Sequence, residues 1–299
     1  MPDRQLPPPT APGPLLPWLV AALAPTNRTR VKQLLQHGRI VVNGRVVTRH
    51  DHALAAGDHV AVAAEGTTER PDATPPLIVQ YEDPHLIIVD KPAGLLSVAT
   101  DTEKGHTAFS RLSAMLTRRK AGRPFVVHRL DRGTSGLLVF ARSAKVRDAM
   151  QANWDTVRKT YVAVVEGTPR PAEGTIENHL LEGDNLRVRP AAADTPGAKH
   201  AVTEYKTDRA SARNSLVYLV IRTGRKHQIR VHLAGLGCPV VGDRDYGAKT
   251  DPVGRVCLHA LSLGFDHPIT GKRVQVHGIM PADLWTALGP ATDQRLRIT

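Results

Sequence analysis

The segment HRLDRGTSGLLVFARS (128–143) places one carboxylate, Asp131, between Arg129 and Arg132 and just ahead of an apolar run. A carboxylate surrounded by cations stays ionised and is held in position. It could then act as a nucleophile or as a general base. The alternative is a turn aspartate whose side chain bonds its own backbone. This segment alone leaves both interpretations open.

Other catalytic patterns are absent from the sequence. The stretch GTSG (133–136) does not complete a G-x-S-x-G nucleophile turn, because Leu137 stands where the last glycine is required. No phosphate-binding loop of the Walker or G-x-G-x-x-G type occurs, so nothing indicates ATP or NAD binding. His227 and His232 are five positions apart and no carboxylate cluster joins them, which does not favour a metal site. We therefore expect neither a metal nor a cofactor.

The composition indicates a soluble protein with an anionic partner. Lys and Arg number 40 against 28 Asp and Glu, which gives a formal charge of +12, and 41% of the 299 residues are apolar. Such a chain can bury the cores of about two domains, and its charge favours nucleic acid. A coding bias toward arginine is an alternative source of that charge. Two cysteines, no signal-peptide pattern and no stretch of ~20 apolar residues predict a cytoplasmic protein outside the membrane.

The N-terminal part of the sequence predicts a small α/β module. Residues 1–14 are rich in proline and are expected to form a flexible tail. In residues 15–64, TNRTRVKQLLQHG has apolar residues at helical spacing, Asn43-Gly44 predicts a hairpin turn, and LAAGDHVAV is expected to add a strand. This pattern resembles the S-four type of RNA-binding module. On this resemblance, the cations expected to contact RNA are Arg28, Arg30, Lys32 and Arg39, with an ordinary solvated basic helix as the alternative.

The remainder of the chain predicts a larger α+β domain. Residues 65–76 are polar and are expected to be a linker. In residues 77–299, strand-like runs such as HLIIVD, GLLVFA, TYVAVVEG and SLVYLVIR outnumber the helical patterns HTAFSRLSAMLTRR, SAKVRDAMQANW and RKHQIRVHLAGLG. This clustering of strands favours a large mixed, mainly antiparallel sheet.

Five ordered blocks in this larger domain resemble the RluA-type RNA pseudouridine synthases. The block HRLDRGTSGLLVFA resembles their signature, and it is accompanied by DKPAGLLSV (90–98), RKTYVAVVEG (158–167), TGRKHQIRVHLAGLGCPVVGDRDYG (223–247) and CLHALSLGF (257–265). The resemblance implies the pseudouridine synthase fold. It also implies isomerisation of uridine in RNA to its C-glycoside isomer without metal or cofactor.

The resemblance also assigns roles to individual residues. It makes Asp131 the essential carboxylate, Arg230 the arginine that forms a salt bridge with it, and Tyr161 the aromatic that stacks on the flipped base. Arg129 would fill the space that the flipped nucleotide leaves. Leu130 and Ile229 would line the pocket. The other residues expected to contact RNA are His128, Arg225, Lys226, His227 and His232, and a solvated helix face is the alternative for the last four.

Three functional alternatives remain open from the sequence. The chain could be an RNA-binding or ribosome-assembly protein without activity, although the complete set of Asp131, Tyr161 and Arg230 argues against this. It could be a glycosylase, which would release free uracil. An isomerase of this type could act on ribosomal or transfer RNA, and the module favours large-subunit ribosomal RNA. A monomer is expected, since no heptad pattern is present.

Overall fold

A computed structural model describes residues 4–36, 38–48, 50–63, 77–100, 103, 105–183 and 187–290. The chain divides into two units, residues 1–73 and 74–299. The predicted linker, residues 65–76, lies outside the described residues. No helix in the described part of the chain is long and apolar enough to cross a membrane.

The N-terminal unit packs two helices against short strands. The helices are α1 (Leu15–Ala22) and α2 (Arg28–Gln36). The strands are β1 (Arg4–Gln5), β2 (Gly13–Pro14), β3 (Ile40–Val42), β4 (Arg45–Val46), β5 (Ala53–Leu54) and β6 (Val60–Val62). The order β1-β6-β3-β4 forms one sheet, while β2 pairs with β5. The predicted helix and hairpin are confirmed, and Asn43 and Gly44 both have positive φ, as a two-residue hairpin turn requires.

The prediction of a flexible tail over residues 1–14 is wrong for its described part. Strand β1 pairs antiparallel with β6, and the Leu6 N–H donates to the Val60 carbonyl at 2.9 Å. The Leu6 side chain is buried in the core of the unit. The open edge of β6 supplies backbone partners to this segment. The segment is rich in proline, so its composition does not indicate that Leu6 packs into the core.

The second unit contains the remaining helices and strands. Its helices are α3 (Ala108–Arg118), α4 (Ala144–Ala152), α5 (Gln228–Gly235) and α6 (Ala282–Leu288), with short 3-10 helices at Trp154–Thr156 and Arg244–Tyr246. Its strands are β7 (Ile78–Glu82), β8 (Leu86–Lys91), β9 (Phe125–Val126), β10 (Ser135–Ala141), β11 (Arg158–Glu166), β12 (Glu173–Glu182), β13 (Val188–Ala191), β14 (Lys199–Ala210), β15 (Asn214–Ile221), β16 (Leu258–Asp266) and β17 (Arg273–His277).

All of these strands join one sheet of eleven. The path is β13-β12-β14-β15-β11-β16-β10-β8-β7, with β17 beside β16 and β9 beside β10. Among the described strands of this sheet, the β10–β16 pair is parallel and the other pairs are antiparallel. The predicted α+β class with a large mixed, mainly antiparallel sheet is confirmed, as are the three predicted helices α3, α4 and α5.

The parallel pair β10–β16 positions the segment that carries Asp131. Strand β10 is buried along its whole length, as its uninterrupted apolar sequence indicates. Gly136 has φ +113°, and a Cβ there would lie 2.3 Å from the Ala260 carbonyl oxygen of β16. Only glycine permits this close approach. The loop before β10 is thereby held against the start of β16, at the middle of the sheet.

Candidate active site

The loop carrying Asp131 is held by backbone hydrogen bonds on both sides. The Ser97 hydroxyl donates to the Leu130 carbonyl at 2.7 Å and accepts from the Leu130 N–H at 2.9 Å. The Gly94 N–H donates to the Arg132 carbonyl at 2.8 Å. Within the loop, the Thr134 N–H donates to the Asp131 carbonyl at 3.1 Å. The block DKPAGLLSV therefore fixes the backbone on both sides of Asp131.

Lys91 is a fully buried cation beneath the same loop, and sequence reasoning gave it no role. Its Nζ donates to the carbonyls of Pro92 at 3.0 Å, Leu95 at 2.8 Å and Arg132 at 3.4 Å. Burial lowers the pKa of Lys91 to about 7, although the charge of Asp131 acts in the opposite direction. The signal was available, because this lysine ends an apolar strand and begins a Pro-Ala-Gly turn.

A cavity of about 290 Å³ opens beside Asp131. Its wall combines apolar side chains with polar groups that converge on the carboxylate, an arrangement typical of small-ligand sites. The lining residues used below are His128, Leu130, Asp131, Trp154, Lys159, Tyr161, Ile221, Arg225, His227, Ile229, Arg230 and Leu258. A second cavity, of about 510 Å³, also borders Asp131 and is lined by Arg132, Gly133, Arg230, Asp245 and Arg255 among others.

Tyr161 lies in β11, where it pairs with Leu219 of β15 and Ala260 of β16. Its ring forms part of the wall of the smaller cavity, as predicted. Burial and the nearby charge of Asp131 raise the pKa of Tyr161 above its usual value. The phenol is therefore protonated at neutral pH, and its ring is the group available for stacking.

Arg230 lies among three carboxylates. Its guanidinium donates to Asp243 twice, each at 2.6 Å, and to Asp245 at 3.1 Å, while its Nη1 is 4.0 Å from Asp131 Oδ2. Burial alone would lower the pKa of Arg230, but the hydrogen bonds and charge of Asp243 raise it. The predicted contact with Asp131 is thus at the limit of an ion pair, and the main partner is Asp243, which sequence reasoning missed.

His227 approaches Asp131 from the start of α5. Its Nε2 is 3.8 Å from Asp131 Oδ2, and its Nδ1 is 2.8 Å from the Tyr246 hydroxyl. Burial lowers the pKa of His227, although the Asp131 charge opposes this. The residue has φ +53°, a left-handed conformation that costs about 1 kcal/mol or more outside glycine. This turn directs the imidazole toward the carboxylate.

The remaining cations predicted near the site differ in exposure and in the partners they already have within the protein. Arg129 and Arg225 are exposed, and Arg225 Nε donates to the His200 carbonyl at 2.9 Å. Lys226 forms an ion pair with Glu182. Leu130 and Ile229 are buried at the cavity wall, as predicted.

Two histidines predicted to contact RNA have partners within the protein. His232 is 1% exposed, and its ring nitrogens bond Thr203 Oγ1 at 2.9 Å and Asn178 Oδ1 at 3.0 Å. The prediction that it contacts phosphate is wrong, because this face of α5 packs on β12 and β14. His128 lines the cavity as a wall residue: its Nε2 accepts from the Val139 N–H at 3.1 Å and its ring stacks on Trp154. Burial and Lys159 lower the pKa of His128 to about 3, so it is neutral.

A chain of polar side chains, buried at Ser135 and His259, supports the start of β10, and sequence reasoning missed it. The Ser135 hydroxyl is 2.8 Å from His259 Nδ1 and accepts from Arg255 Nη1 at 2.8 Å. Arg255 in turn donates twice to Asp283 of α6, at 2.7 and 2.8 Å. Burial, together with the charge of Arg255, lowers the pKa of His259 to about 4. The chain joins the Asp131 loop to β16 and α6.

In the N-terminal unit, α2 presents Arg28, Arg30 and Lys32 on its exposed side. The Asn27 side chain accepts from the Arg30 N–H at 2.8 Å and so caps the helix. Arg39 donates to the Ala63 carbonyl through Nε at 2.9 Å and Nη2 at 2.6 Å. It thereby joins the exit of α2 to the end of β6.

Comparisons with known proteins agree with this geometry. The sequence model of the family described as RNA pseudouridylate synthase matches residues 85–235, and that of the S4 domain matches residues 17–60. The chain is 34% identical over 271 residues to the uncharacterized RNA pseudouridine synthase YlyB of Bacillus subtilis, covering 86% of this chain and 87% of the relative. It is 33% identical over 280 residues to ribosomal large subunit pseudouridine synthase D of Vibrio cholerae, covering 86% and 85%.

A solved structure gives the same result. The fold is similar to that of human RNA pseudouridylate synthase domain containing 1, with a TM-score of 0.57, 26% identity, and coverage of 72% of this chain and 89% of that chain. The chain therefore belongs to the RNA pseudouridine synthase family, which consists of isomerases, and it carries an S4 domain before the catalytic unit. The family and the RNA-binding module indicated by the sequence motifs are confirmed.

Proposed function

We propose that this protein isomerises specific uridines in large-subunit ribosomal RNA to pseudouridine, with Asp131 as the essential catalytic carboxylate. The observation that carries the proposal is the position of this carboxylate, which borders both cavities and is 25% exposed. Two cationic or polar groups, His227 Nε2 and Arg230 Nη1, lie 3.8 and 4.0 Å away. They hold the acid in place without occupying its oxygens at hydrogen-bonding distance.

The smaller cavity is the proposed site of the uracil base. Tyr161, Leu130, Ile221, Ile229 and Leu258 give it a largely apolar wall. A uridine enters only after it is flipped out of its helix, at a cost of a few kcal/mol. Stacking on an aromatic ring returns about 1–3 kcal/mol per base. The wall therefore offsets the cost of flipping and keeps water from the reacting atoms.

The reaction exchanges one glycosidic bond for another within the same nucleotide. The N1–C1′ bond breaks and a C5–C1′ bond forms, while carbon 5 releases its proton to water and N1 takes one up. Asp131 can serve this exchange by attacking the base, by attacking the sugar, or by removing a sugar proton. All three routes need an ionised carboxylate within reach of the glycosidic bond.

The cations around the site suit the RNA backbone. The larger cavity, lined in part by Arg132, Arg230 and Arg255, is the proposed place of the sugar and its phosphates. Arg129 is exposed beside Asp131, where it can fill the space left by the flipped nucleotide. The exposed cations of α2 in the S4 domain would add further phosphate contacts.

Large-subunit ribosomal RNA is the proposed substrate because a relative covered over most of its length is named for it, in Vibrio cholerae. An S4 domain before the catalytic unit supports an RNA substrate with extensive structure. A ribosomal substrate implies work in the cytoplasm, and we infer a monomer without an obligate protein partner. The same isomerase acting on transfer RNA is the alternative.

Tritium release tests this proposal. Large-subunit ribosomal RNA and transfer RNA would be transcribed with uridine tritiated at carbon 5 and incubated with the protein. We expect release to water from the ribosomal RNA alone, in a fixed number of equivalents per molecule. Release from transfer RNA alone would show that the substrate class is wrong. Tight binding without release would indicate a binding protein, and free uracil would indicate a glycosylase.

A further inference from the structure

The sequence from Lys104 to Arg147 is strongly basic apart from its catalytic candidate. It contains eleven Lys and Arg residues, and its one acidic residue is Asp131. Two of these cations, Arg129 and Arg132, flank Asp131. Six others occur at the end of α3, in the turn that follows it, and around the start of α4, and none of these six has a role in the account given so far.

The structure brings these separate stretches together. Arg119, just after α3, and Arg142, at the end of β10, both bind the Glu82 carboxylate, at 3.2 and 2.9 Å. Arg142 Nη2 also donates to the Ala121 carbonyl at 3.1 Å. The turn after α3 is thereby fixed against the end of β10.

A second contact joins the same turn to α4. The guanidinium groups of Arg123 and Arg147 lie over the ring of Phe125, 4.8 and 5.9 Å from its centroid. Both are held there by cation–π attraction, and Arg147 also pairs with Asp148 at 2.7 Å. Arg118, Lys120, Arg123 and Lys145 are exposed and form no ion pair with an acid in the described part of the chain. We call these four residues, with Arg119 and Arg147, the basic face.

The basic face is connected to the active site by one short strand. Phe125 begins β9, and Arg129, at the rim of the smaller cavity, follows four residues later. Only Phe125 and Val126 are in a strand, so these four residues span at most about 13 Å. At the 3.4 Å rise per nucleotide of B-DNA, this distance corresponds to at most about four nucleotides.

We propose that the basic face binds the phosphate backbone of the substrate RNA within about four nucleotides of the target uridine. The inference rests on the proposed function. The basic face has few acids in its sequence and four exposed cations without an acid partner among the described residues, and the chain continues from it to Arg129. These features favour the RNA that is already bound at the active site as its ligand, rather than a separate partner. The face gives affinity and orientation without sequence readout, because phosphates carry no base identity.

The test compares two triple variants with equal charge loss. Arg118→Gln/Lys120→Gln/Arg123→Gln neutralises the basic face. Arg170→Gln/Arg209→Gln/Arg213→Gln neutralises three exposed cations, of which Arg209 and Arg213 lie near the end of β15 opposite Ile221 and Arg170 follows the end of β11 opposite Tyr161. Binding of unmodified large-subunit ribosomal RNA would be measured from 50 to 200 mM salt. Binding reports on the face even if no pseudouridine forms, so failure of the proposed function is separately visible in tritium release.

We expect the face variant to show a salt dependence shallower by about 2–3 in slope, and at least about tenfold weaker binding at low salt. The control variant should match the wild type. A target hairpin that ends within about four base pairs of the uridine should remove the difference between the two variants. Equal affinities and slopes for both variants on the long RNA would overturn the proposal. Tight binding of the face to anionic vesicles with unchanged RNA affinity would also overturn it.

Discussion

Two loops meet at Arg230, and their carboxylates differ in burial and in distance from the guanidinium. In the loop after Val241, Asp243 is 1% exposed and accepts two hydrogen bonds of 2.6 Å from the guanidinium. In the loop before β10, Asp131 is 25% exposed and lies 4.0 Å from the same group. The difference indicates a division of labour. Asp243 satisfies the buried arginine, and Asp131 keeps its oxygens available for a substrate.

The Asp243→Asn variant should break this arrangement most severely. The change removes the negative charge that balances the buried Arg230 guanidinium. Removing one partner of a buried ion pair costs about 3–5 kcal/mol in unfolding free energy. The unfolding free energy from urea titration would measure this loss. Asp245→Asn is the matched control, because that carboxylate is 67% exposed and its pairing is worth less than about 1 kcal/mol. Equal losses for the two variants would contradict the assignment of Asp243 as the buried partner.

Lys91→Met tests the support beneath the Asp131 loop. The change removes three hydrogen bonds to buried carbonyls and should cost about 2–3 kcal/mol in unfolding free energy at pH 7. The pKa of Lys91 is about 7 in the folded protein and 10.5 in the unfolded chain. Between these values the unfolded chain holds a proton that the folded protein has released, so stability from this site rises with pH. The gap between wild type and variant should therefore widen from pH 7 to pH 9.

Lys145→Met provides the comparison for that experiment. This lysine is exposed on α4, and its replacement should change the unfolding free energy by no more than about 0.5 kcal/mol. A constant gap for Lys91→Met across the same pH range would show that the buried ammonium does not titrate there. The ammonium would then stay protonated and keep its three hydrogen bonds across that range.

Variants of Tyr161 test the wall of the smaller cavity, and we expect a smaller loss of free energy from them. Because burial raises its pKa, the phenol stays protonated and its ring is the useful part. Tyr161→Phe should keep kcat/KM for tritium release within about threefold of the wild type. Tyr161→Ala should lose about 5- to 150-fold, which corresponds to the 1–3 kcal/mol of base stacking. If the phenylalanine variant is as slow as the alanine variant, the hydroxyl takes part in the reaction.

The sequence predicts the parts of this site that lie in continuous motifs. Asp131, Tyr161 and Arg230 each stand inside a recognisable block, and β10 is evident from its apolar run. Asp243 also lies in a quoted block, but its pairing with Arg230 depends on how the chain turns after α5. Trp154 and His128 meet through a ring stack between different elements. Periodicity does not report such contacts.

His232 and the N-terminal segment show the same limit. From sequence, His232 belongs to a basic stretch, yet the direction of α5 turns it toward Thr203 and Asn178. Residues 4–6 look like a proline-rich tail until the edge of β6 offers them a partner. In both cases tertiary packing decides between two locally acceptable structures. Local composition therefore predicts the elements better than it predicts which side chains they expose.

The most direct test of the account is tritium release by Asp131→Asn under single-turnover conditions, with RNA binding and unfolding free energy measured on the same preparation. The account predicts release slower by at least about 10³-fold, since the carboxylate performs the chemistry. It also predicts RNA binding like the wild type and an unfolding free energy within about 0.5 kcal/mol of it. Release within tenfold of the wild type would contradict the assignment of Asp131 as the catalytic carboxylate.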